Sequence, residues 1–495
     1  MLQAPPTDQK LPQRASGANL DEPSRLNDAE YSNEGYFARA EYDYSDRYFI
    51  SASFRRDGSS RFAPDARWGS FWSVGGAWRI DQEGFFRGVN LFSTLKLRAS
   101  YGEVGNDSGF NSAVLSFFAS QGLFNLAPNA SESGINTASR SAEALGWETN
   151  KQSDVALEFT ALNNRISGSI EYYNRVTEDL IFDVPLPLST GFDEINQNIG
   201  TMFNRGVEIS LTGDVYKTKD FRWTLNVNGS TIKNELTKLP DGQDEIIDFP
   251  QRLVVGNSIF DYYLRDYFGV DPADGAALYV LDPEEDVNDV SVRTVDGVLV
   301  TTNQNLANFT TQGSSLPDVF GSFTNTFIYK NFRLGFLFTY QIGGQTYDTN
   351  FANLMSSGNY GAALSTEILN RWQQPGDITN VPRLDQTQTA AFGAASTRWL
   401  VDSDFIALRQ INFSYELPAK YISAIGFSNA RVYANAENVF LSSKRTGLDV
   451  NQRFDGGTRN RFTPSRTITL GLTATTQRIH KRTHTQYHTF TLLLC

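Results

Sequence analysis

The amino-acid sequence predicts an all-β protein, and more narrowly a partial antiparallel transmembrane β-barrel of about 13 strands. Three observations support this prediction. Apolar and polar side chains alternate with period two along many segments, as on strands with one apolar face. Short and long connections alternate between those segments, as they do in membrane barrels. We find no run of ~18 apolar residues, which excludes membrane helices but not a barrel.

The stretch YFISASFRRDGSSRF at 48–62 shows the alternation most clearly. Ile50 and Phe54 fall on one side of the predicted strand, and Ser51 and Ser53 fall on the other. The charged, glycine- and serine-rich residues that follow are typical of a loop. The same pattern recurs along the chain, and the predicted strands are 36–44, 47–56, 69–80, 94–102, 153–162, 165–175, 206–216, 221–229, 321–329, 332–340, 404–415, 430–438 and 466–474.

The connections sort into two classes by length. Ser45–Asp46, Asn163–Asn164 and Lys330–Asn331 form tight turns, and KTKD at 217–220 is nearly as short. The moderate connections are 81–93 and 418–427, and the long ones are 57–68, 103–150, 176–205, 230–320, 341–403 and 440–464. This sorting favours brief periplasmic turns and long external loops. An odd number of strictly antiparallel strands cannot close a barrel, so we expect further strands upstream.

Aromatic residues crowd the strand ends near the short turns. At a membrane interface they would form a girdle, although strands are rich in aromatics in general. With the loop asymmetry, the girdle is the better interpretation of Tyr42, Tyr44, Tyr48, Tyr329, Phe332 and Tyr415.

Composition excludes several functions. The formal net charge of −12 argues against nucleic acid as a partner, because phosphate binding needs basic patches. Cys495 is the sole cysteine, so an internal disulfide framework is impossible. Residues 1–35 are polar and rich in Pro, Asp and Asn, which predicts a loop or disordered start without a signal peptide.

A series of phrases resembles the C-terminal part of SusC/RagA-family TonB-linked outer membrane proteins, in the family's order over roughly 31–475. They are YFISASFRRDGSSRF at 48–62, LKLRASYGEVGN at 95–106, LGWETNKQSDVALEF at 145–159, RISGSIEYYNRVTEDLI at 165–181, STGFDEINQNIGTMFNRGVEISL at 189–211, FGVDPADGAALY at 268–279, RWQQPGD at 371–377, DFIALRQINFSYELP at 404–418, RVYANAENVF at 431–440 and SRTITLGLTAT at 465–475.

The resemblance implies that residues 36–475 are the C-terminal part of a plugged barrel of about 22 strands. It implies a Gram-negative outer-membrane importer of oligosaccharides or peptides. The partners would be a SusD/RagB-like surface lipoprotein, outer-membrane lipid and TonB–ExbB–ExbD. The family's plug and TonB-contacting segment have no counterpart in this sequence, so we expect the chain alone to be inactive.

Two alternatives stay open. Another TonB-dependent receptor, for siderophores or cobalamin, is possible within the same class, although the RDGSS and NRGVE phrases favour SusC. A secreted β-sandwich adhesin or carbohydrate-binding protein belongs to a different class. Such a protein would bury its apolar strand faces and would not alternate its loop lengths.

Catalytic, cofactor and metal sites are not predicted. His480, His484 and His488 all lie near the C-terminus, so the body of the chain offers no Ser-His-Asp set. Asp402 and Asp404 are better interpreted as solvated loop charges than as an acid/base pair. DPEEDVND at 282–289 could bind calcium but lacks the glycine of an EF-hand, which favours a solvated acidic loop.

Substrate-contacting residues cannot be assigned by motif. GGQTYD at 343–348 and RTGLDVNQRFDGG at 445–457 are predicted external loops. Trp399, Tyr347 and Tyr360 could stack on sugar rings, but loop aromatics are common without ligands.

The tail at 476–495 departs from everything before it. It has no acidic residue and holds every histidine, at a spacing that would line one helix face and could bind metal. Family chains tend to end in an aromatic where Thr476 stands. We therefore interpret the tail as a non-native extension, and expect the strand at 466–474 to end the sheet.

Overall fold

The structure is a computed structural model that describes residues 31–108, 118, 120–129, 132–192, 194–239, 243–248, 250–356, 361, 363–445, 448–450, 463–479 and 485–494. These residues form two compact units. The first comprises residues up to 77 with 99–153 and 175–202, and the second comprises 78–98, 154–174 and 203 onward.

The strands of the amino-terminal part are β1 Asn33–Tyr44, β2 Tyr48–Ser59, β3 Trp68–Arg79, β4 Phe92–Asn106, β5 Leu123–Asn129, β6 Glu132–Ser139, β7 Glu148–Ala161, β8 Ile166–Glu178, β9 Ile181–Pro185 and β10 Glu194–Asn198. The middle part has β11 Thr201–Lys217, β12 Phe221–Thr231, β13 Lys233–Lys238, β14 Glu245–Asp248, β15 Gln251–Val254, β16 Asp261–Arg265, β17 Tyr267–Val270, β18 Ala277–Val280, β19 Val292–Val295, β20 Val298–Thr301 and β21 Phe309–Ser314.

The last part has β22 Val319–Tyr329, β23 Phe332–Ile342, β24 Gln345–Tyr347, β25 Leu400–Asp402, β26 Phe405–Glu416, β27 Phe427–Ser443, β28 Thr467–Ile479 and β29 Thr485–Leu494. The α-helices are short: α1 Thr349–Leu354, α2 Thr389–Gly393 and α3 Ala419–Ile422. Short 3-10 turns occupy Ile80–Gln82, Gly84–Phe86, Leu188–Thr190, Gln304–Leu306, Thr366–Asn370, Gln386–Gln388, Thr397–Trp399 and Ser423–Ile425.

Each of the thirteen predicted strands is present in the structure. In the first unit the sheet order is β1-β2-β3-β4-β7-β8. In the second unit the order is β4-β7-β8-β11-β12-β22-β23-β26-β27-β28-β29, and β13 pairs with β11. Neighbouring strands of this meander pair antiparallel, as in β22 and β23, where Phe323 lies opposite Phe338.

Two expectations about the ends are corrected. The predicted loop start at 1–35 is wrong for its last residues, since β1 begins at Asn33, and 1–30 lie outside the described residues. The strand predicted at 466–474 runs on to Ile479 and does not end the sheet, because β29 pairs antiparallel with it from Leu470 to Ile479. Whether the tail is a non-native extension stays a prediction.

The short turns are closed by residues in left-handed backbone conformations. Ser45 and Asp46 have φ of 56° and 54°, Asn163 and Asn164 have 55° and 63°, and Lys330 has 50°. Left-handed residues match the right-handed twist of the flanking strands in tight hairpins. Asn and Asp tolerate this conformation better than most residues, which explains their use here.

One face of the strands in the second unit is apolar and exposed. Ile209, Leu470 and Ile468 are 40%, 53% and 61% exposed. Their neighbours on the other face are polar and bonded to each other: Asn226 donates to Thr212 Oγ1 at 2.6 Å. Exposed apolar strand faces are expected where lipid, not water, surrounds the sheet.

Buried apolar clusters lie mainly in the connections. In the second unit Tyr279 is fully buried with Ala277, Ala307 and Ala391. A second cluster there unites α1, α2 and the turns between them, and comprises Met355, Ile368, Val381, Phe392 and Trp399. In the first unit a cluster of Phe62, Ala142, Leu145 and Ile181 occupies the same kind of position.

Candidate functional site

The long connections of the second unit are folded elements rather than irregular loops. Two four-stranded sheets, in the orders β14-β15-β16-β21 and β17-β18-β20-β19, fill most of the connection between β12 and β22. The β24–β25 pair and helices α1 and α2 fill the connection between β23 and β26. These elements hold charged side chains in fixed positions at the predicted external end of the strands.

A cavity of about 350 Å³ lies in this region of the second unit. Three elements form its walls. Strand β25 supplies the apolar side, the turn Thr366–Asn370 supplies a carboxylate, and the segment after β27 supplies two cations. The lining residues are Glu367, Leu400, Val401, Asp402, Lys444 and Arg445.

Ion pairs organise the charged wall of this cavity. Arg445 Nε lies 2.9 Å from Asp348 Oδ2, and its Nη1 lies 3.2 Å from Glu367 Oε1. Lys444 pairs with Asp402, and this contact holds the pKa of the Asp402 carboxyl below its usual range. Carboxylates and cations therefore both face the space, which suits a ligand with hydrogen-bond donors and acceptors.

A second cavity, of about 370 Å³, lies in the first unit. Its floor is aromatic. The Phe71 ring packs directly against the backbone of Gly69 and Gly105. A Cβ atom added at Gly69 would lie 2.5 Å from Phe71 Cζ, and one added at Gly105 would lie 2.0 Å from it, so only glycine fits at either position. Trp147 contacts the same ring edge-on at 5.6 Å between centroids. The lining residues are Tyr31, Asn33, Glu34, Gly35, Arg55, Asp57, Phe71, Glu103, Val104, Gly105, Asp107 and Trp147.

The carboxylate of Asp107 is fixed at the edge of this cavity. Tyr31 donates its hydroxyl to Asp107 Oδ2 at 2.8 Å, and Ser59 Oγ donates to the same oxygen at 2.7 Å. Arg61 Nη1 lies 3.6 Å from Oδ1. Nearby, Arg55 holds Asp57 with two bonds of 2.9 Å. An aromatic floor with carboxylate and guanidinium groups can bind sugar hydroxyls or peptide amides.

Two of the three predicted sugar-stacking aromatics, Trp399 and Tyr347, pack within the protein. Trp399 is 1% exposed, donates from Nε1 to Ala394 O at 2.9 Å and packs edge-on against Phe351. Tyr347 is half-buried, and burial raises its pKa to about 12. Tyr360 lies outside the described residues. Trp399 and Tyr347 therefore act in packing.

Arg398 belongs to the same packed region. Its guanidinium lies 4.4 Å from the Trp399 ring centroid and 5.3 Å from the Tyr267 centroid, and it donates to Phe392 O at 3.0 Å. Burial raises the pKa of Tyr267 to about 12 and lowers the pKa of Arg398. This cluster joins β17 to the turn before β25, which stabilises the loop elements against each other.

The other candidate residues have structural contacts. Asp402 pairs with Lys444, whereas Asp404 accepts from the backbone N of Gly343 at 2.7 Å. The two carboxylates therefore have different partners and are not arranged as an acid/base pair. In the acidic segment 282–289, Asp282 accepts from Glu284 N at 2.9 Å and Asp286 accepts from Asn288 N at 2.9 Å. These are turn-forming bonds, and they favour the solvated acidic loop.

Across the part of the chain that the structure describes, no group of three or more His, Cys, Asp and Glu residues is placed to hold a metal ion. His480 and His484 lie outside the described residues, and His488 lies on β29, so it is not on a helix face. Within the described ranges, no helix is long and apolar enough to cross a membrane.

Sequence reasoning did not assign the residues of either cavity to a site, although it considered Asp402 as a loop charge and placed Arg445 at the start of a predicted external loop. Phe71, Asp107 and Trp147 come from distant parts of the chain and carry no common motif. The available signal was the presence of Gly69 and Gly105 within alternating strands, since glycine in a strand often marks close approach of another group. Arg445 and Glu367 are separated by 78 positions, and no motif in the sequence links the two.

The fold and these features match a known family. The family model described as TonB dependent receptor-like, beta-barrel covers residues 4–253, about half of the chain. The chain belongs to this family of outer-membrane β-barrels. Both the barrel prediction and the resemblance to SusC/RagA proteins are confirmed, and the β-sandwich alternative loses its support.

Several relatives are similar over most of this chain. The TonB-dependent receptor P3 of Formosa agariphila is 30% identical over 474 residues, covering 91% of this chain and 46% of the relative. TonB-dependent receptor SusC of Bacteroides thetaiotaomicron is 28% identical over 460 residues, covering 88% of this chain and 43% of SusC. These relatives carry the names of receptors and not of enzymes.

Solved structures give the same result. The solved structure of the RagAB peptide transporter has a TM-score of 0.74 and 26% identity, covering 90% of this chain and 47% of that chain. The RagAB peptide importer in its closed-closed state has a TM-score of 0.75 and 27% identity. The chain spans about half the length of the relatives that it matches.

Proposed function

We propose that this chain forms part of a SusC-like, TonB-dependent importer that moves oligosaccharides or peptides across the outer membrane. The observation that carries the proposal is the likeness to the RagAB peptide transporter and to SusC over about nine-tenths of the chain. The strands supply the membrane barrel, and the folded loop elements supply surfaces that meet the substrate.

The two cavities are the candidate substrate contacts. The first-unit cavity combines the Phe71 ring with the carboxylates of Asp57 and Asp107. The second-unit cavity places Glu367 and Arg445 beside the apolar wall of β25. Both combine apolar surface with donors and acceptors, which is the composition that sugars and peptides require. Neither contains a catalytic set, and we infer transport without chemical conversion.

Partners follow from the same proposal. A SusD/RagB-like surface lipoprotein would cover the external loops, and TonB–ExbB–ExbD would supply energy from the periplasmic side. TonB would act on parts of the receptor outside the half that this chain matches. Residues 1–495 alone are therefore proposed to transport nothing.

Uptake by the complete receptor tests the proposal. A strain lacking the receptor gene should lose growth on the glycan or peptide mixture that the intact strain uses, and the complete gene should restore it only when TonB is present. Phe71→Ala should weaken uptake, because it removes the cavity floor. Phe85→Ala is the matched control, since Phe85 is an exposed aromatic in the short turn Gly84–Phe86. Growth restored without TonB would contradict the proposal.

Sidedness is tested separately by labelling single cysteines in the complete receptor, with Cys495 replaced by Ser. Val290 and Ile378 are almost fully exposed in the long connections, and Lys219 is exposed in the short turn after β11. Val290→Cys and Ile378→Cys should react on whole cells with a thiol reagent that cannot cross membranes. Lys219→Cys should react only after the outer membrane is permeabilised. The reverse pattern would show that the topology is wrong.

A further inference from the structure

Strand β11 contributes to the exposed apolar face of the sheet and carries a cluster of basic and aromatic side chains near its first residues. Val207, Ile209 and Leu211 alternate along its exposed apolar face. Continuing the alternation toward the start of the strand places Arg205 and Phe203 on the same face. Arg205 is exposed, and its guanidinium lies 4.3 Å from the Phe203 ring centroid.

A second cation approaches the same ring from the neighbouring strand. Lys233, at the start of β13, places Nζ 5.8 Å from the Phe203 centroid. Asn234 ties the strands together by donating to Phe203 O at 3.4 Å and to Asn204 Oδ1 at 3.0 Å. The Phe203 ring therefore contacts one cationic side chain from each of two paired strands. The pairing of β11 with β13 fixes the distance between the backbones that bear Arg205 and Lys233.

The charge of this group is only partly neutralised. Lys233 pairs with Glu235 at 2.8 Å, with side chains 60% and 26% exposed. Among the described residues Arg205 has no ion pair, so its guanidinium keeps its donors available. An exposed guanidinium with available donors can bind an anion from outside the protein, and the planar fork of arginine suits the geometry of a phosphate.

The position along the strand indicates which partner. Tyr216, near the short-turn end of β11, is 55% exposed and marks one membrane interface. Phe203 lies 13 residues before it, which at ~3.3 Å per residue and a tilt of ~40° corresponds to roughly 30 Å across the membrane. That is about the thickness of the hydrocarbon core, so Arg205 and Lys233 fall at the opposite headgroup level.

We propose that Arg205, Lys233 and Phe203 form a site on the lipid-facing side of the barrel that binds the phosphate of a membrane lipid headgroup. The guanidinium fork and the ammonium contact the phosphate, and the ring lies against the upper part of the acyl chains. The proposal rests on membership of the barrel family and not on the transport function. Its failure would leave the importer proposal standing.

Lipid retention by the complete receptor tests this site. Receptor reconstituted in nanodiscs of mixed phosphatidylglycerol and phosphatidylcholine is extracted into detergent, and the co-purified lipids are counted by native mass spectrometry. Wild type should retain phosphatidylglycerol selectively. Arg205→Gln and Lys233→Gln should each reduce that retention by roughly fivefold, and the double variant by more. Phe203→Leu should reduce it less, because the charges remain.

The control is Arg431→Gln. Arg431 lies 5.6 Å from the Tyr433 ring, two positions away on β27, so the pair has the same chemistry. It alternates with exposed Val432 and therefore faces the opposite side of the sheet. Retention should be unchanged in this variant. Heat-modifiable migration in gels confirms that each variant is folded before lipids are counted.

A free phosphate site is distinguished by a second arm. Inorganic phosphate is titrated against the delipidated receptor, and the proposed site should show no saturable binding at concentrations where phosphatidylglycerol is retained. Equal retention by wild type and the folded double variant would overturn the proposal. Saturable phosphate binding that the double variant loses, without selective lipid retention, would overturn it as well.

Discussion

The membrane strands and the long connections of the second unit differ in where they place their apolar side chains: the strands expose them, and the connections bury them. On β28 the apolar Leu470 is 53% exposed, whereas Tyr279 on β18, inside a connection, is fully buried. The connections build ordinary cores against water, and the strands turn their apolar side chains outward. One chain therefore folds in two solvents, and the side chains at the sheet surface are stabilised by lipid and not by packing within the protein.

The largest expected effect comes from the core of the connections. Trp399→Ala removes a side chain that packs on Phe351 and Arg398, and should cost about 3–5 kcal/mol of local stability. Limited proteolysis of the complete receptor should then cut the connection between β23 and β26 much faster. The heat-modifiable barrel should persist.

The control for this variant is Leu354→Ala. Leu354 is 42% exposed at the end of α1, so its loss should leave proteolysis nearly unchanged. Equal acceleration by the two variants would mean that the connection has no packed core.

The next effect tests the lipid face. Leu470→Arg places a cation on the exposed apolar side and should cost roughly 2–4 kcal/mol near the bilayer midplane. Thr469→Arg should cost little, because Thr469 lies opposite Asn435 on the polar face. The free energy of unfolding in urea, measured in lipid vesicles, gives both values. A larger cost at Thr469 would reverse the assignment of the two faces.

The smallest effect tests an ion pair in the connections. Arg293 Nη2 lies 2.8 Å from Asp274 Oδ2, and this contact holds the pKa of the Asp274 carboxyl below its usual range. Its contribution is therefore full above the unfolded pKa of about 4 and is lost as pH falls through the lower folded pKa. Both side chains are one-third exposed, so Asp274→Asn should cost at most about 1 kcal/mol at neutral pH.

The matched variant is Asp286→Asn. Asp286 is exposed, and its Oδ1 accepts from Asn288 N at 2.9 Å and from Asn288 Nδ2 at 3.1 Å, bonds that the side-chain oxygen of asparagine can also accept. Thermal unfolding followed at pH 7 and at pH 3 should show a difference for Asp274→Asn that shrinks at the lower pH. A difference that grows on acidification would contradict the assigned direction of the pKa.

The membrane strands could be predicted because alternation is a local signal. Each strand shows one apolar and one polar face within ten residues, and the short turns add Asn, Asp and Ser at the right places. The strands inside the long connections were not predicted, because they are too short, and too polar at their flanks, to show a clear alternation. Val292–Val295 and Val298–Thr301 form a hairpin around Asp296–Gly297, a recognised turn signal, but polar flanks made the whole segment look like a loop.

The cavities and the end of the sheet lay beyond local signals. Phe71 meets Trp147 only because β3 and the segment before β7 come together in the first unit. The pairing of β29 with β28 was missed because the composition of the tail differs from that of the body, although THTQYHTFTLLL has residues suited to a strand. Contacts between distant segments cannot be inferred from the period of either segment.

The left-handed residues in the short turns also have a kinetic consequence. A turn of two or three residues joins its strands with little loop-closure entropy, so each hairpin has low contact order and can form within microseconds. Pairings across the long connections, such as β12 with β22, have to wait for those connections to order. The assembling chain therefore advances two strands at a time: the hairpins at Ser45–Asp46 and Lys330 form early, and the ordering of the long connections limits the rate of each further step.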